Sequence, residues 1–588
     1  MNKIYLSTLA LILSSSFAMA GVEKFIIPAI DDTLIFENST ISTYQTNIDT
    51  KVAQNETKTL SFVLKSTSNL SNLTLEIPNL TGTNGTINAT SLDVKIVKSW
   101  YQNDNVNFND SSKKILTPEL LLKDESGIKV ENGTNFLKDT SGNWIDISQN
   151  KSEKLIKDPL FKDSDSLKSF SLGKDINKQF FITLKVPQNT KAGTYTGKIK
   201  VKSNASTLAQ IDVKVEVMPF LLEKSLLTHK IYYDGRYAPN GQSEAYQKTK
   251  AEIQGEFKNL VSHFTNPIIP QEIADENLFR EYLKLRKEAG FDTLEPLFIQ
   301  NGYNIWFKES TSNRVNEIEK LKANVQKIIT IAREEGFSGD VYIYGVDEPT
   351  LDKLTNQREL WSAIHEVGGK VFCALSIDDK HLSLNDVKAM ADILDLGILS
   401  SKPDKFIADE FHKYGNKVGS YANPQAGRIT PLTYRKNYGL KLWQQDYDLA
   451  TTWAYQGHLG TTWNVFDYAI DSNSKKIGYD EVFTYPTVNG AIDTIEWEGW
   501  RESVTDSMYL ATLLTTIEKA KTKNIDITNA QNFIDELKIK DLDSEDFESI
   551  REDITTQILS LNTQINQNSS PQEEESGIFD TISKALGF

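Results

Sequence analysis

Apolar and polar positions alternate in short runs from residue 21 to about 222. Residues 211–217 switch between apolar and charged or polar at every step, the period-two signature of a half-buried strand. Residues 59–64, 73–77, 92–97 and 180–186 repeat that rhythm, and 192–197 opens a further strand running through Ile199 and Val201. Clusters of Asn, Thr, Ser and Gly separate the runs. Several short strands with this punctuation predict a β-sandwich over 21–222.

The rhythm changes near Pro219. From Leu226 onward short apolar strands alternate with helical stretches. Eight strand candidates begin the units: 230–233, 266–269, 293–298, 341–344, 370–375, 394–399, 417–421 and 458–463. The helical stretches 279–289, 315–335 and 361–367 end at Gly290, Gly336 and Gly368, where helix C-caps place glycine. Eight strand–helix units over about 280 residues predict a (β/α)8 TIM barrel spanning 223–510. A doubly wound open sheet is the alternative, but no glycine-rich phosphate loop follows the first strand. Beyond 505 the chain turns helical and acidic, predicting a C-terminal helical extension over 511–563. Residues 564–588 read as a disordered linker and a short amphipathic tail, with Ile578, Phe579, Ile582 and Leu586 on one helical face. The fold class expected is therefore multidomain: N-terminal β-sandwich, central barrel, C-terminal helices.

The first 20 residues match a secretory signal: Lys3, then an apolar stretch over 4–17, then Ala18-Met19-Ala20 before Gly21. Cleavage there predicts an exported protein, periplasmic or extracellular. No later stretch of about 18 apolar residues exists, so no transmembrane segment is expected in the mature chain. The net charge of −16 argues against nucleic acid as a partner and against a polybasic membrane-surface role. Cys373, the one cysteine, lies in an apolar run and reads as a buried, inert thiol. The six histidines lack metal-ligand spacing, so neither a metal nor another cofactor is expected.

Functional side chains of such barrels follow the C-terminal ends of the strands. Asp234 and Arg236 follow the first candidate strand and Glu295 belongs to the third. Asp347-Glu348-Pro349 follows the fourth, Tyr421 and Asn423 the seventh, and Trp463, Asn464 and Asp467 the eighth. Acids, amides and large aromatics in one mouth suit a sugar: rings stack on pyranose faces, and carboxylates and amides take hydroxyls. The fourth strand carries the sharpest signal, because an apolar run stops at two adjacent acids. Pro349 should hold Glu348 out of the right-handed helical region and leave it extended. Crowded carboxylates divide one proton between them, the arrangement glycoside hydrolysis uses. A helix N-cap is the competing reading of Asp or Glu before Pro. Adjacent residues on a strand diverge, so the pair is poorly placed to flank a bond as two-carboxylate retaining enzymes require. It fits better a reaction in which the substrate's own 2-acetamido group attacks.

Three stretches resemble glycoside hydrolase family 123 and relatives of unassigned function. They are Val186-Pro187 with residues 192–197 and 213–220; Tyr344-Gly345-Val346-Asp347-Glu348-Pro349; and Tyr485-Pro486, Gly490, residues 495–498, Arg501-Glu502, Asp506, Tyr509 and Leu510. The likeness spans roughly 180–515. It implies a β-N-acetylhexosaminidase-type glycosidase acting on β-linked N-acetylgalactosamine of a glycan or glycoconjugate, with substrate assistance. Glu348 would then be the general acid/base and Asp347 the residue orienting the acetamide. Tyr421, Asn423, Trp463, Asn464, Arg236, Asp234 and Glu295 stand as substrate contacts by strand-end position; for Glu295, Asp234 and Asp467 a structural role or a place as an alternative acid also stays open. Trp497 and Trp500 read as core, with Glu498 and Arg501 a closing ion pair. Two other functions stay open: a non-catalytic carbohydrate-binding or cell-surface interaction protein, and a hydrolase for sugars lacking the acetamide.

Overall fold

The computed structural model describes residues 21–42, 45–103, 114–148, 157–240, 246–300, 314–457, 462–463 and 481–568. The expected leader 1–20, Asn464, Asp467, residues 458–461 of the expected eighth strand and residues 569–588 of the expected tail lie outside the described residues.

Two sheets form the N-terminal region. One has five strands in the order Val22–Ile27, Thr57–Ser66, Lys178–Lys185, Leu92–Asn103, Lys114–Leu122. The other runs Phe170–Leu172, Leu70–Glu76, Gly193–Ser203, Ser206–Leu221, Ile48–Gln54, with two short strands beside this path. Alternation sends Phe62, Leu64, Ile96, Phe180 and Ile182 of the first sheet inward against Ile199, Val201, Ile211, Val213 and Val215 of the second, in one core.

The barrel strands are Thr228–Ile231, Asn266–Pro267, Leu297–Ile299, Val341–Tyr344, Lys370–Leu375, Leu396–Leu399, Lys417–Ser420 and Leu449–Ala450. All neighbouring pairs are parallel, and a bridge between Ile269 and Ile299 joins the second strand to the third, so the ladder runs all round. Two expectations are corrected. The eighth strand is Leu449–Ala450, not 458–463. Only two residues of it are laddered, too short for periodicity to register. The third strand begins at Leu297, so Glu295 precedes it and stands at the opposite end from the mouth. Tyr232, Phe298, Tyr342, Tyr344, Phe372 and Ile398 fill the interior. The helices outside pack a second, larger core.

The helix Ile495–Thr522 is buried over most of its length and packs against Pro431–Asn437 and Phe547–Gln567. The sequence reading starts a linker at 564; the last helix instead continues to Gln567. Charges join these helices to the N-terminal sheets. Arg551 donates from Nε to Asp506 (2.8 Å) and from Nη2 to Glu502 (2.7 Å), and its Nη1 lies 3.5 Å from Glu56. Glu502 accepts from Thr59 Oγ1 at 2.8 Å. Burial raises the Glu502 carboxyl, but Arg551, Lys58 and Arg435 outweigh it and hold it at about 2.

Candidate active site

The turn after the fourth strand is pinned along the fifth. Gly345 N donates to Phe372 O (2.8 Å) and Glu348 N to Ala374 O (3.1 Å). A Cβ at Gly345 would stand 2.4 Å from Cys373 Sγ, so only glycine lets the chain pass this close. Burial pushes that thiol up to about 12, in keeping with an inert role. Glu348 has φ 38°, in the left-handed region and not extended as Pro349 alone would lead one to expect. Ala422, next to Tyr421, has φ 57°. Such backbone costs about 1–3 kcal/mol per residue and persists where surroundings impose it, often at working sites.

Asp347 and Glu348 stand exposed at the mouth. Each carboxylate is held by a phenol rising from the barrel interior. Tyr344 Oη donates to Asp347 Oδ1 at 2.5 Å, and Tyr421 Oη donates to Glu348 Oε1. Burial, then the neighbouring Tyr232 and Asp347, push the Tyr344 phenol well above 10. Burial and Glu348 do the same to Tyr421. Both phenols therefore stay O–H donors, and each fixes one rotamer of its carboxylate. The helix-cap alternative for the pair is not what the chain adopts: the next helix, Leu351–Thr355, has Thr350 at its N-cap.

Two further residues reach this mouth that sequence reasoning missed. Trp453 follows the true eighth strand, half-buried, its ring 5.7 Å from that of Tyr232. Its backbone N donates to Gln425 Oε1 at 3.1 Å. Recognising Leu449–Ala450 as the strand would have exposed it. Glu481 begins the strand Glu481–Val482, paired with Gln456–Gly457, and its carbonyl accepts from Ala454 N at 3.2 Å. Burial, then the charge of Glu348, raise its carboxyl to about 7, while Arg428 pulls the other way. No sequence signal marks it, because only the tertiary fold carries it to the fourth strand's acids.

The other expected contacts distribute differently. Asp234 lies at the mouth, where burial raises it to about 6 and Arg236 opposes. Arg236 lies farther out, with Nη1 3.9 Å from Glu272. The Asn423 amide is spent on Ser401 O (3.0 Å) and Ser420 Oγ (2.8 Å), bracing the loop. Glu295 accepts from Asn266 Nδ2 (3.0 Å) at the barrel base, beside the buried Lys230. The structure thus removes it from the mouth, since a side chain before a strand faces the stability end of the barrel. Trp463 is wholly buried among Trp100, Phe161 and Tyr485, and its Nε1 donates to Pro486 O at 3.1 Å. With no free face it cannot stack on a sugar; that assignment followed from the misplaced eighth strand. Trp497 and Trp500 are core, and Glu498 pairs with Arg501.

His263, Asp493 and Glu498 bring ligand atoms within 4.8 Å of one another. Lys95 already lies 2.5 Å from Asp493, and Arg501 pairs with Glu498. Two resident cations neutralise the two carboxylates, so a metal ion would meet repulsion. No helix among the described residues is long and apolar enough to cross a membrane.

No protein-family model and no curated protein matches the chain. Among solved structures it superposes on one described as a family 123 glycoside hydrolase from Clostridium perfringens, reported for glycolipid glycan hydrolysis. The TM-score is 0.59 at 13% identity, over 93% of this chain and 98% of that one. The chain resembles a family 123 glycoside hydrolase in fold. At 13% identity the likeness is one of architecture, and it covers the N-terminal sheets as well as the barrel. A Bacteroides ovatus GH5 xyloglucanase overlaps at TM-score 0.27 and 8% identity, over 79% of this chain and 98% of that one. A putative alpha-L-fucosidase from Bacteroides thetaiotaomicron does so at 0.25 and 12%, over 44% and 92%. Neither of these two bears on fold or chemistry.

Proposed function

We propose that the chain is a glycoside hydrolase that releases β-linked 2-acetamido sugars, N-acetylgalactosamine foremost, from a glycan or glycoconjugate. The observation that carries the proposal is the acid pair itself: adjacent Asp347 and Glu348 at the mouth, each oriented by its own buried phenol. The fold shared with the family 123 enzyme supports the same reading.

Glu348 protonates the glycosidic oxygen as the C1–O bond breaks. The acetamide carbonyl oxygen forms the new bond to C1, giving a cyclic intermediate, while Asp347 accepts the acetamide N–H and balances the charge that develops. Glu348, now ionised, takes a proton from the water that opens the ring, and both groups return to their starting states. The two carboxylates are held by separate phenols, Tyr344 on Asp347 and Tyr421 on Glu348, which suits this division: one faces the leaving group and the other the acetamide. Tyr421 keeps Glu348 in place through both steps. Trp453 offers a ring for the apolar sugar face, and Asp234 and Glu481 offer acceptors for hydroxyls. The signal-like residues 1–20 support work outside the cytoplasm.

Hydrolysis of chromogenic β-N-acetylgalactosaminide and β-N-acetylglucosaminide tests this. Glu348→Gln and Asp347→Asn should each lower kcat/KM at least about 100-fold, the low end for a positioned acid. Rates that survive both substitutions, or turnover only of galactosides lacking the acetamide, would overturn the mechanism. Sugar binding without any turnover would favour the non-catalytic reading.

A further inference from the structure

The loops leaving the first two barrel strands flank a recess that the acid pair does not use. It is an open cleft of about 690 Å³ whose walls include Arg236, Tyr237, Asn240, Gln271, Glu272 and Leu278. Residues 236–240 follow the first strand and 271–278 the second, so the cleft opens on the same face as Asp347 and Glu348. The first strand links the two places. Tyr232 at its end senses the charges of both acids, Asp234 comes next, and Arg236 reaches the cleft and acts on Asp234.

The guanidinium is unspent. Among the described residues Arg236 donates no side-chain hydrogen bond: Nε is shielded from solvent without a partner, and Nη1 is 3.9 Å from Glu272, beyond bonding range. Parts of the surrounding wall are tied by hydrogen bonds. Tyr237 N donates to Gln271 Oε1 at 2.9 Å, and Asp275 caps the helix Glu276–Ala289 by accepting from Asn277 N and Leu278 N. A recess of this volume, lined by donors, acceptors and one aromatic ring, has features of a ligand site.

We propose that the cleft is a second glycan subsite, which takes a neutral, hydroxyl-rich sugar unit adjoining the one cleaved at the acid pair. The proposal rests on the glycosidase reading. Charge selects the ligand class. The lining sets one arginine against Glu272 and Asp275, so an anionic substituent gains Arg236 only by approaching two carboxylates. Vicinal hydroxyls satisfy both signs together, accepting from Arg236 and donating to Glu272. The protein then favours an oligosaccharide over a simple glycoside.

The test is a ratio of kcat/KM values, for a neutral tetrasaccharide ending in β-N-acetylgalactosamine against the aryl monosaccharide glycoside. Arg236→Ala and Glu272→Gln should each lower that ratio about tenfold or more, the effect of losing a hydrogen bond to a charged group. Both substrates are read on one sample, so a partly misfolded variant scales both rates alike and leaves the ratio reporting on the folded fraction. Calorimetric binding of the tetrasaccharide to the Glu348→Gln protein, with and without Arg236→Ala, separates this proposal from the hydrolase reading. Arg236-dependent binding without turnover in the wild type keeps the subsite and sinks the hydrolase. A ratio and a binding constant both indifferent to Arg236 overturn the subsite. Tighter binding of a sulfated or uronic-acid tetrasaccharide than of the neutral one overturns the neutral assignment.

Discussion

Glu481 is a carboxyl whose burial the folded protein resists. Burial and then the charge of Glu348 displace it from 4.5 to about 7. At ~1.4 kcal/mol per pH unit, that displacement amounts to about 3 kcal/mol. The sign follows from proton uptake. The folded state holds a proton that the unfolded chain has released between pH about 4.5 and 7, so stability falls as pH rises through that window and the full penalty stands above it. Glu481→Gln keeps the shape and removes the charge. The variant should match the wild type near pH 4 and exceed it by up to about 3 kcal/mol at pH 8. For a unit of barrel size, about 2 °C per kcal/mol places the gain in Tm on the order of 5 °C. Thermal unfolding of both proteins at pH 4, 6 and 8 reads the effect, with kcat/KM measured beside it. If the carboxylate serves substrate, the stabilised variant loses activity by about tenfold or more, a trade of stability for function. An equal Tm difference at every pH, or none at pH 8, would refute the reasoning, because the penalty would then not come from ionising Glu481.

Two further outcomes are expected. Tyr421→Phe removes the hydroxyl that holds Glu348; losing a bond to a charged acceptor, worth about 1.5–3 kcal/mol, should cut kcat/KM about 10- to 100-fold with the melting temperature little changed. Trp463→Ala opens a cavity between the N-terminal sheets and the barrel and should cost about 3–5 kcal/mol of stability, with KM preserved. A raised KM at unchanged melting temperature would return its ring to the substrate's path.

Local pattern was enough to place the acid pair. The run 341–346 is apolar and ends in Asp347-Glu348-Pro349, and a strand end in an eight-unit alternation is where a barrel exposes its chemistry. The core role of Cys373 was legible from its apolar run, and those of Trp497 and Trp500 from the tendency of large aromatic side chains to be buried. Where the ladder shrinks to two residues, as at Leu449–Ala450, periodicity has nothing to count. That one short strand hid Trp453 and sent Trp463 to the wrong end of the argument. Glu295 was misjudged because the third strand begins at Leu297, four residues after the expected start at 293, which leaves Glu295 before the strand and away from the mouth. Pro349 announced that Glu348 would avoid the right-handed helix, but both extended and left-handed backbone satisfy that demand. The hydrogen bond from Glu348 N to Ala374 O, across to the next strand, accompanies the left-handed choice. Sequence by itself therefore determined which acids end the fourth strand and what kind of architecture carries them. Only the tertiary structure decided what surrounds them: the phenols of Tyr344 and Tyr421, the ring of Trp453 and the strained charge of Glu481. Those contacts join residues far apart along the chain, and no local period encodes them.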